Sequence, residues 1–215
     1  MPQSKVFIHR AKHSLLLVSL ALLILISPLF DGERFGHFVI DALFSLVLLS
    51  AVNASSETRH IRLTAWVIAL LSLGLMWANV ADQTTTGRLI GVGLFVALSA
   101  TAIALVLRSV IKAPSVTFEV LCAGVGLYLL LGVTWALTYV LLDGLNPQAF
   151  EVVSANLETG WTDFLYFSFA TLTTLGYGDI SPDAPFVRIW AVMEAVTGVL
   201  YIAILVARLV SLYRA

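Results

Sequence analysis

The chain has 215 residues, 60% hydrophobic and 12% charged, with a formal net charge of −1. A soluble domain carries roughly a quarter charged residues, so this balance excludes a soluble globular fold and points to a protein embedded in lipid. No basic run or basic amphipathic segment occurs, which leaves nucleic acid out of the expected partners. The single cysteine, Cys122, cannot form an intrachain disulfide and reads as a packing residue in an apolar stretch.

About twenty apolar residues cross the hydrocarbon core. Six segments meet or approach that length: residues 14–30, 35–54, 63–80, 88–110, 116–142 and 185–213. The first and third are short, and the last two are long enough to tilt. The opening "KVFIHRAKH" followed by "SLLLVSLALLILIS" has the outline of a signal peptide. No A-x-A cleavage pattern follows, so the segment is expected to stay as the first span.

Lys and Arg set the orientation. With the N-terminus inside, nine basic residues (Lys5, Arg10, Lys12, Arg59, Arg62, Arg108, Lys112, Arg208, Arg214) face the cytoplasm and three (Arg34, Arg88, Arg188) face out. The expectation is a multi-pass protein of the cell membrane with both termini cytoplasmic. Asp31, Glu33, Asp82, Asp143, Glu151, Glu158, Asp163, Asp179 and Asp183 then collect on the outer side and favour cations there.

Between the last two spans lies "WTDFLYFSFATLTTLGYGD". Its first fourteen residues, 161–174, are apolar and aromatic but too short to span. Thr162 can cap the start and Asp163 suits the first turn. The pattern predicts a half-helix that enters from the outer side and stops inside the membrane. The chain then returns outward through Leu175–Asp179 without helix. Such backbone is tolerated at that depth only where protein buries it or water lines it.

A cation stripped of water needs oxygens in place of its shell. Successive carbonyls face one axis if neighbouring residues alternate between right- and left-handed conformations, and glycine suits the left-handed positions. Gly176 and Gly178 have that spacing. Leu175 and Tyr177 would then point away from the axis and pack against half-helices. The carbonyls of Thr174, Leu175, Gly176 and Tyr177, with the Thr174 hydroxyl, would form stacked rows of oxygens. One chain supplies one row, so several chains must meet.

"TLTTLGYGD" resembles the filter signature of tetrameric potassium channels. The resemblance spans roughly residues 116–215, through outer helix, pore half-helix, filter and inner helix. It implies potassium selectivity, a homotetramer, and K+ bound at Thr174, Leu175, Gly176 and Tyr177. Gly178 completes the filter, and Thr173 and Asp179 flank it. It also implies bending at Gly198, twenty residues after Gly178, although a glycine there equally suits close helix packing. Leu175 departs from the usual Val or Ile. Some family members brace the filter aspartate with a carboxylate and an indole on the half-helix. Those positions are taken here as Ala170 and Phe167, so Asp179 is expected to lack that brace or bond elsewhere, with a filter prone to inactivation or looser selectivity.

The implied fold is an all-α membrane protein with six spans per chain, a re-entrant half-helix and fourfold assembly. Its parts are a cytoplasmic segment 1–13, a four-helix bundle 14–112 and a pore domain 113–215. Within the last lie an outer helix 116–142, pore helix 161–174, filter 174–179 and inner helix 185–213. The bundle resembles a voltage sensor, and Gly74, Gly87, Gly91, Gly93 and Ser99 suit close packing within it. Trp66, Trp77 and Asn79 read as interface and packing residues.

Three acids lie in or near spans and are candidates for function. Asp41 suits pairing with Arg34 or Arg88. Glu119 sits at the cytoplasmic start of the fifth span, near Lys112. Glu194, four residues before Gly198, has two readings. It can bond Ser168 or a threonine hydroxyl behind the half-helix, as the protonated acid, or face the cavity and concentrate K+; its role is either structural or one of gating or pH sensing. His9 and His13 have helical metal-ligand spacing but no third ligand and read as interfacial anchors. No catalytic triad, phosphate loop or metal cluster is present, so the chain is not expected to be an enzyme or to hold a cofactor other than the transported ion. Besides membrane lipids and copies of itself, the expected partners include a regulatory protein. Two other functions compete: a weakly selective cation channel, and a non-conducting regulatory or adaptor subunit.

The fourth span, "GRLIGVGLFVALSATAIALVLRSV", holds basic residues only at its edges, Arg88 and Arg108. Moving one charge through 100 mV is worth about 2.3 kcal/mol, so steep voltage gating needs several mobile charges per chain. These two arginines suit snorkelling to opposite interfaces. Weak voltage dependence is therefore expected. Recordings across a voltage series should show conductance drifting over many tens of millivolts, and an e-fold rise within a few millivolts would contradict the reading.

Overall fold

The computed structural model describes residues 12–30, 34–55, 63, 66, 67, 70, 74, 85–152 and 160–213. Five helices form the frame first: α1 Lys12–Ile26, α2 Arg34–Ser55, α3 Thr85–Lys112, α4 Phe118–Leu145 and a short α5 Trp161–Leu172. The last helix is α6 Pro185–Tyr213. Two three-residue strands, β1 Phe150–Val152 and β2 Ile180–Pro182, lie on either side of α5 and the loop that follows it. Of the expected third span, the five described positions (Leu63, Trp66, Val67, Leu70, Gly74) are helical. The rest of that span, with Trp77 and Asn79, lies outside the described residues, as do residues 1–11 with His9.

Three helices are long and apolar enough to cross a membrane, over Leu89–Lys112, Phe118–Leu145 and Pro185–Arg208. Apolar stretches in the first two helices, His13–Leu29 and Phe38–Ala51, are shorter. The protein is thus mostly helical, with three membrane-length helices among the described residues; the expected six spans exceed what these lengths establish.

Local chemistry accounts for the boundaries. Ser27 and Pro28 turn the end of α1 into a 3-10 turn, Ser27–Leu29. Pro114 prevents α3 from continuing, and Thr117 opens α4 by accepting from Val120 N at 3.3 Å. The outer helix runs three residues beyond the expected 142. It stops only where Asn146, preceding Pro147, is extended at φ −141°, ψ 96°. The α5 cap is also not the expected one: Gly160 is the N-cap, and Asp163 reaches back to accept from Gly160 N at 2.9 Å. Thr162 lies inside the first turn.

The core is built around α4. Leu16, Leu20 and Leu23 of α1, Phe44 and Val47 of α2, and Phe95 and Leu98 of α3 pack with Leu127, Leu130 and Val133 of α4. Both α1 and α3 therefore lie against α4 of their own chain. The five-residue link 113–117 leaves little other choice for α3. Glu119 is bonded to the start of α1. Its carboxylate accepts from Ser14 Oγ at 2.7 Å and from His13 N at 3.3 Å, closing the N-terminal end of α1. At the other end, Trp161 Nε1 donates to Ser27 Oγ at 3.2 Å, and its ring meets Phe44 edge-on at 4.8 Å. The side chains of Arg34 and Arg88, considered as partners for Asp41, lie outside the described residues.

Close approach does not occur at three of the bundle glycines expected for it. A Cβ on Gly74, Gly91 or Gly93 would meet nothing within 4 Å. Tight contacts fall at glycines of α4 and α6, among them Gly198, for which packing was also expected. A Cβ on Gly132 would lie 2.5 Å from the Phe169 ring, and one on Gly198 would lie 2.0 Å from the Leu172 carbonyl oxygen. Gly198→Ala should therefore destabilise the protein by about 1–3 kcal/mol, the usual cost of overpacking. Gly124→Ala is the control: its Cβ would press only on the flexible Leu205 side chain at 3.2 Å. The gain of about 1 kcal/mol in helix propensity should offset that contact. Thermal unfolding in detergent distinguishes the two.

Candidate functional site

The half-helix α5 ends inside the fold, and a helix end leaves orphan carbonyls. Each of the last four finds a donor here. Phe169 O accepts from Thr173 N at 3.1 Å, and Ala170 O from both Leu175 N at 2.7 Å and Gly176 N at 3.1 Å. Thr171 O accepts from Thr174 N at 2.9 Å, and Leu172 O from the Tyr128 hydroxyl at 3.3 Å. The helix is two residues shorter than the expected 161–174, because Thr173 and Thr174 form the turn that makes these bonds. Residues 173–179 leave that turn without helix or strand.

The backbone of this loop alternates in sign. Thr174, Gly176 and Gly178 have φ of +61°, +56° and +77°. Thr174 is the sole non-glycine with positive φ among the described residues. Left-handed backbone costs a residue with a Cβ roughly 1–2 kcal/mol, and such strain tends to sit at functional sites. Sequence reasoning assigned the left-handed positions by glycine and so did not extend the alternation back to Thr174. The two-residue spacing would have done so.

The side chains of the loop are open. Leu175 is 55% exposed and Tyr177 70%. Leu175 borders a cavity of about 300 Å³ that α1 shares with α5 through Ile24, Leu165 and Phe169. The Tyr177 ring stacks over Tyr166 of α5, with centroids 6.4 Å apart and planes 8° from parallel.

Asp179 is bonded elsewhere than at the two expected brace positions, and its partner is also on the half-helix. The Tyr166 hydroxyl reaches both carboxylate oxygens, at 3.0 and 2.8 Å. Ile180 N also donates to Oδ1 at 3.2 Å. The expected brace positions were Ala170 and Phe167, but Phe167 is buried in an aromatic cluster. The face that carries Ala170 toward the loop carries Tyr166 one turn earlier, at i−4. Helical phase counted from Ala170 would have found it.

Two sets of backbone contacts fix the end of the loop that follows Asp179. β1 and β2 pair antiparallel with Val152 opposite Ile180, and Ala149 O accepts from Asp183 N at 2.9 Å and Ala184 N at 3.3 Å. Phe150 packs edge-on against Tyr139, Phe164 and Phe167. Asp183 pairs with Arg188 at 3.1 Å, a surface contact with both side chains 61% exposed.

The inner helix faces the loop's other side. Glu194 is fully buried. Its Oε1 lies 2.5 Å from Ser168 Oγ and its Oε2 accepts from the Tyr139 hydroxyl at 2.5 Å. Of the two placements considered for Glu194, this is the one behind the half-helix. Gly198 lies one turn further along an unbroken α6, where its missing Cβ admits Leu172 O. At the far end Arg208 donates to the carbonyls of Ile111 and Ala113, at 2.8 and 3.0 Å, and so ties α6 to the end of α3. Among the described residues, no cluster of His, Cys, Asp and Glu could hold a metal through side chains. What the loop offers an ion is backbone oxygen.

Tyr166→Phe keeps the stacking ring and removes the hydroxyl donor to Asp179. The amides from Tyr177 to Ile180 should then exchange hydrogen faster than in the parent, while those of α4 stay unchanged, as read by exchange mass spectrometry.

Residues 116–215, which include α4, both strands, α5, the loop and α6, match the model of a protein family described as ion channel. Comparison with curated proteins and with solved structures gives no match. Residues 116–215 are thus similar to ion channels, within a mostly helical chain that has three membrane-length helices among the described residues.

Proposed function

We propose that the chain is one subunit of a homotetrameric, potassium-selective channel of the cell membrane. Four copies of residues 174–178 face a common axis. Dehydrated K+ ions pass in file along the carbonyls of Thr174, Leu175, Gly176 and Tyr177 and the Thr174 hydroxyl. Flow follows the electrochemical gradient, with weak or no voltage dependence, both termini are cytoplasmic, and lipids or a regulatory partner bias the open state.

The observation that carries this reading is the alternation of positive φ at Thr174, Gly176 and Gly178. A backbone that alternates handedness turns successive carbonyls to one side, which suits an ion that has lost its hydration. Dehydration is too costly to offset with one row of oxygens, so several chains are needed. The open faces support the same conclusion. Only 11% of the α6 span is buried within the chain, against 56% of α4. Phe186, Ile189, Val192, Val196 and Val199 are all exposed, leaving apolar area for neighbouring copies and lipid. Gly198 would serve both packing and bending, since any bend there moves α6 relative to Leu172 O.

The weakly selective alternative rested on Leu175 and on an unbraced Asp179. The Tyr166 hydroxyl removes the second support. A silent adaptor has no use for left-handed strain at Thr174.

Purified protein in liposomes should release K+ down its gradient, with reversal potentials that follow K+ rather than Na+. Gly178→Ala puts a Cβ at φ +77°. Strain of about 1–2 kcal/mol in every copy should lower the flux by roughly tenfold or more. Equal K+ and Na+ flux would favour the weakly selective reading, and no flux from an intact oligomer the adaptor.

A further inference from the structure

The contacts around Glu194 contain more oxygens than the neighbouring hydroxyls have protons for. Ser168 Oγ lies 2.8 Å from Gly132 O and 2.5 Å from Glu194 Oε1, and the Tyr139 hydroxyl lies 2.5 Å from Glu194 Oε2. Oxygens this close share a proton. Three such contacts need three protons. Tyr139 and Ser168 bring one each, and a backbone carbonyl brings none. The Tyr139 proton goes to Oε2. If the Ser168 proton goes to Oε1, then Ser168 and the Gly132 carbonyl meet lone pair to lone pair. If it goes to Gly132, the serine and carboxylate oxygens do.

We propose that Glu194 stands as the neutral acid and donates its carboxyl proton to Ser168. The chain of bonds is then complete. Oε1–H donates to Ser168 Oγ, Ser168 donates to Gly132 O, and Tyr139 donates to Oε2. It joins α6, α5 and α4, three helices that otherwise share only apolar contacts and the Tyr128 bond at this level.

The surroundings fit a neutral group. Glu194 is fully buried. The ionisable side chains facing it are Tyr139 and Tyr128, both on α4. On α5, Asp163 is turned to Gly160 N and Tyr166 to Asp179. On α6, Arg188 is turned to Asp183 and Pro182 O, and Tyr201 to Gly124 O. Among the described residues no cation reaches the carboxyl to balance a charge, and an isolated buried charge is costly.

Glu194 is on this account a positioning residue. Ser168 precedes Ala170 by two residues, and Ala170 O holds the amides of Leu175 and Gly176. The carboxyl proton therefore sets the rotation of the half-helix that aims the loop. Its conductive consequence rests on the proposed function; its protonation does not.

The test is infrared difference spectroscopy of the full-length protein in membranes, wild type minus Glu194→Gln. A protonated-carboxyl C=O band is expected, lost in Glu194→Gln and shifted to higher frequency in Tyr139→Phe, where Oε2 loses its donor. Carboxylate bands alone, or a C=O band indifferent to Tyr139→Phe, would overturn the assignment. In liposomes, Glu194→Ala should lower K+ flux by roughly tenfold or more. Glu194→Gln, whose amide can donate to Ser168 and accept from Tyr139, should restore most of it. A folded Glu194→Gln oligomer as impaired as Glu194→Ala would sink the proposal. If the wild type carries no K+ at all, the proposed function falls and the infrared band still decides the protonation.

Discussion

The site depends on one acceptor, the carbonyl of Ala170. A helix that stops inside a membrane leaves its final carbonyls with no water to bond. Ala170 O takes the amides of both Leu175 and Gly176. The loop is thereby bonded back onto the helix that delivered it, and its remaining carbonyls are free for something else. Thr173 and Thr174 make the turn that permits this, at the cost of left-handed strain on Thr174. Where the loop begins, how it is held and what its oxygens can do all follow from that geometry.

Holding the helix end still is the work of the surrounding helices, and they do it with polar groups as well as packing. Tyr128 caps Leu172 O from α4, Ser168 links α5 to Gly132 and Glu194, and Gly198 lets α6 approach Leu172 without a clash. At the outer end, Tyr166 holds Asp179, and the short β1–β2 pair clamps the departing chain. The loop is thus fixed at both ends, while its apolar side chains, Leu175 and Tyr177, stay open.

The N-terminal helices are tied to this apparatus at three levels of the same chain. Glu119 of α4 closes the start of α1, the α1–α4 leucine core runs between, and Trp161 bonds Ser27 at the outer end. Arg208 adds a link from the end of α6 to the end of α3. A displacement of α1 or α3 has a direct mechanical path to α4 and α5.

Much of this was legible in the residues alone. Apolar runs of membrane length mark α3, α4 and α6, because lipid demands about twenty such residues whatever surrounds them. The half-helix was legible, though two residues too long, because Trp161–Thr174 is apolar yet too short to span, and the left-handed positions at Gly176 and Gly178, but not at Thr174, because glycine is the residue that tolerates them. Contacts between distant segments were not legible, since no local rule sets their geometry. Phe167 and Tyr166 are adjacent in sequence; helical phase puts the second on the face of Ala170, but only the rotation of α5 in the fold brought that face to Asp179. Gly91 and Gly198 are alike in sequence, and only the crossing of helices decided that one faces open space and the other a carbonyl oxygen. Glu194 had two faces open to it until α6 packed against Ser168 and Tyr139. Composition and local backbone chemistry determine which segments enter the membrane and where the chain can turn. Which side chains meet is decided by helix rotation and approach, which depend on every neighbour at once.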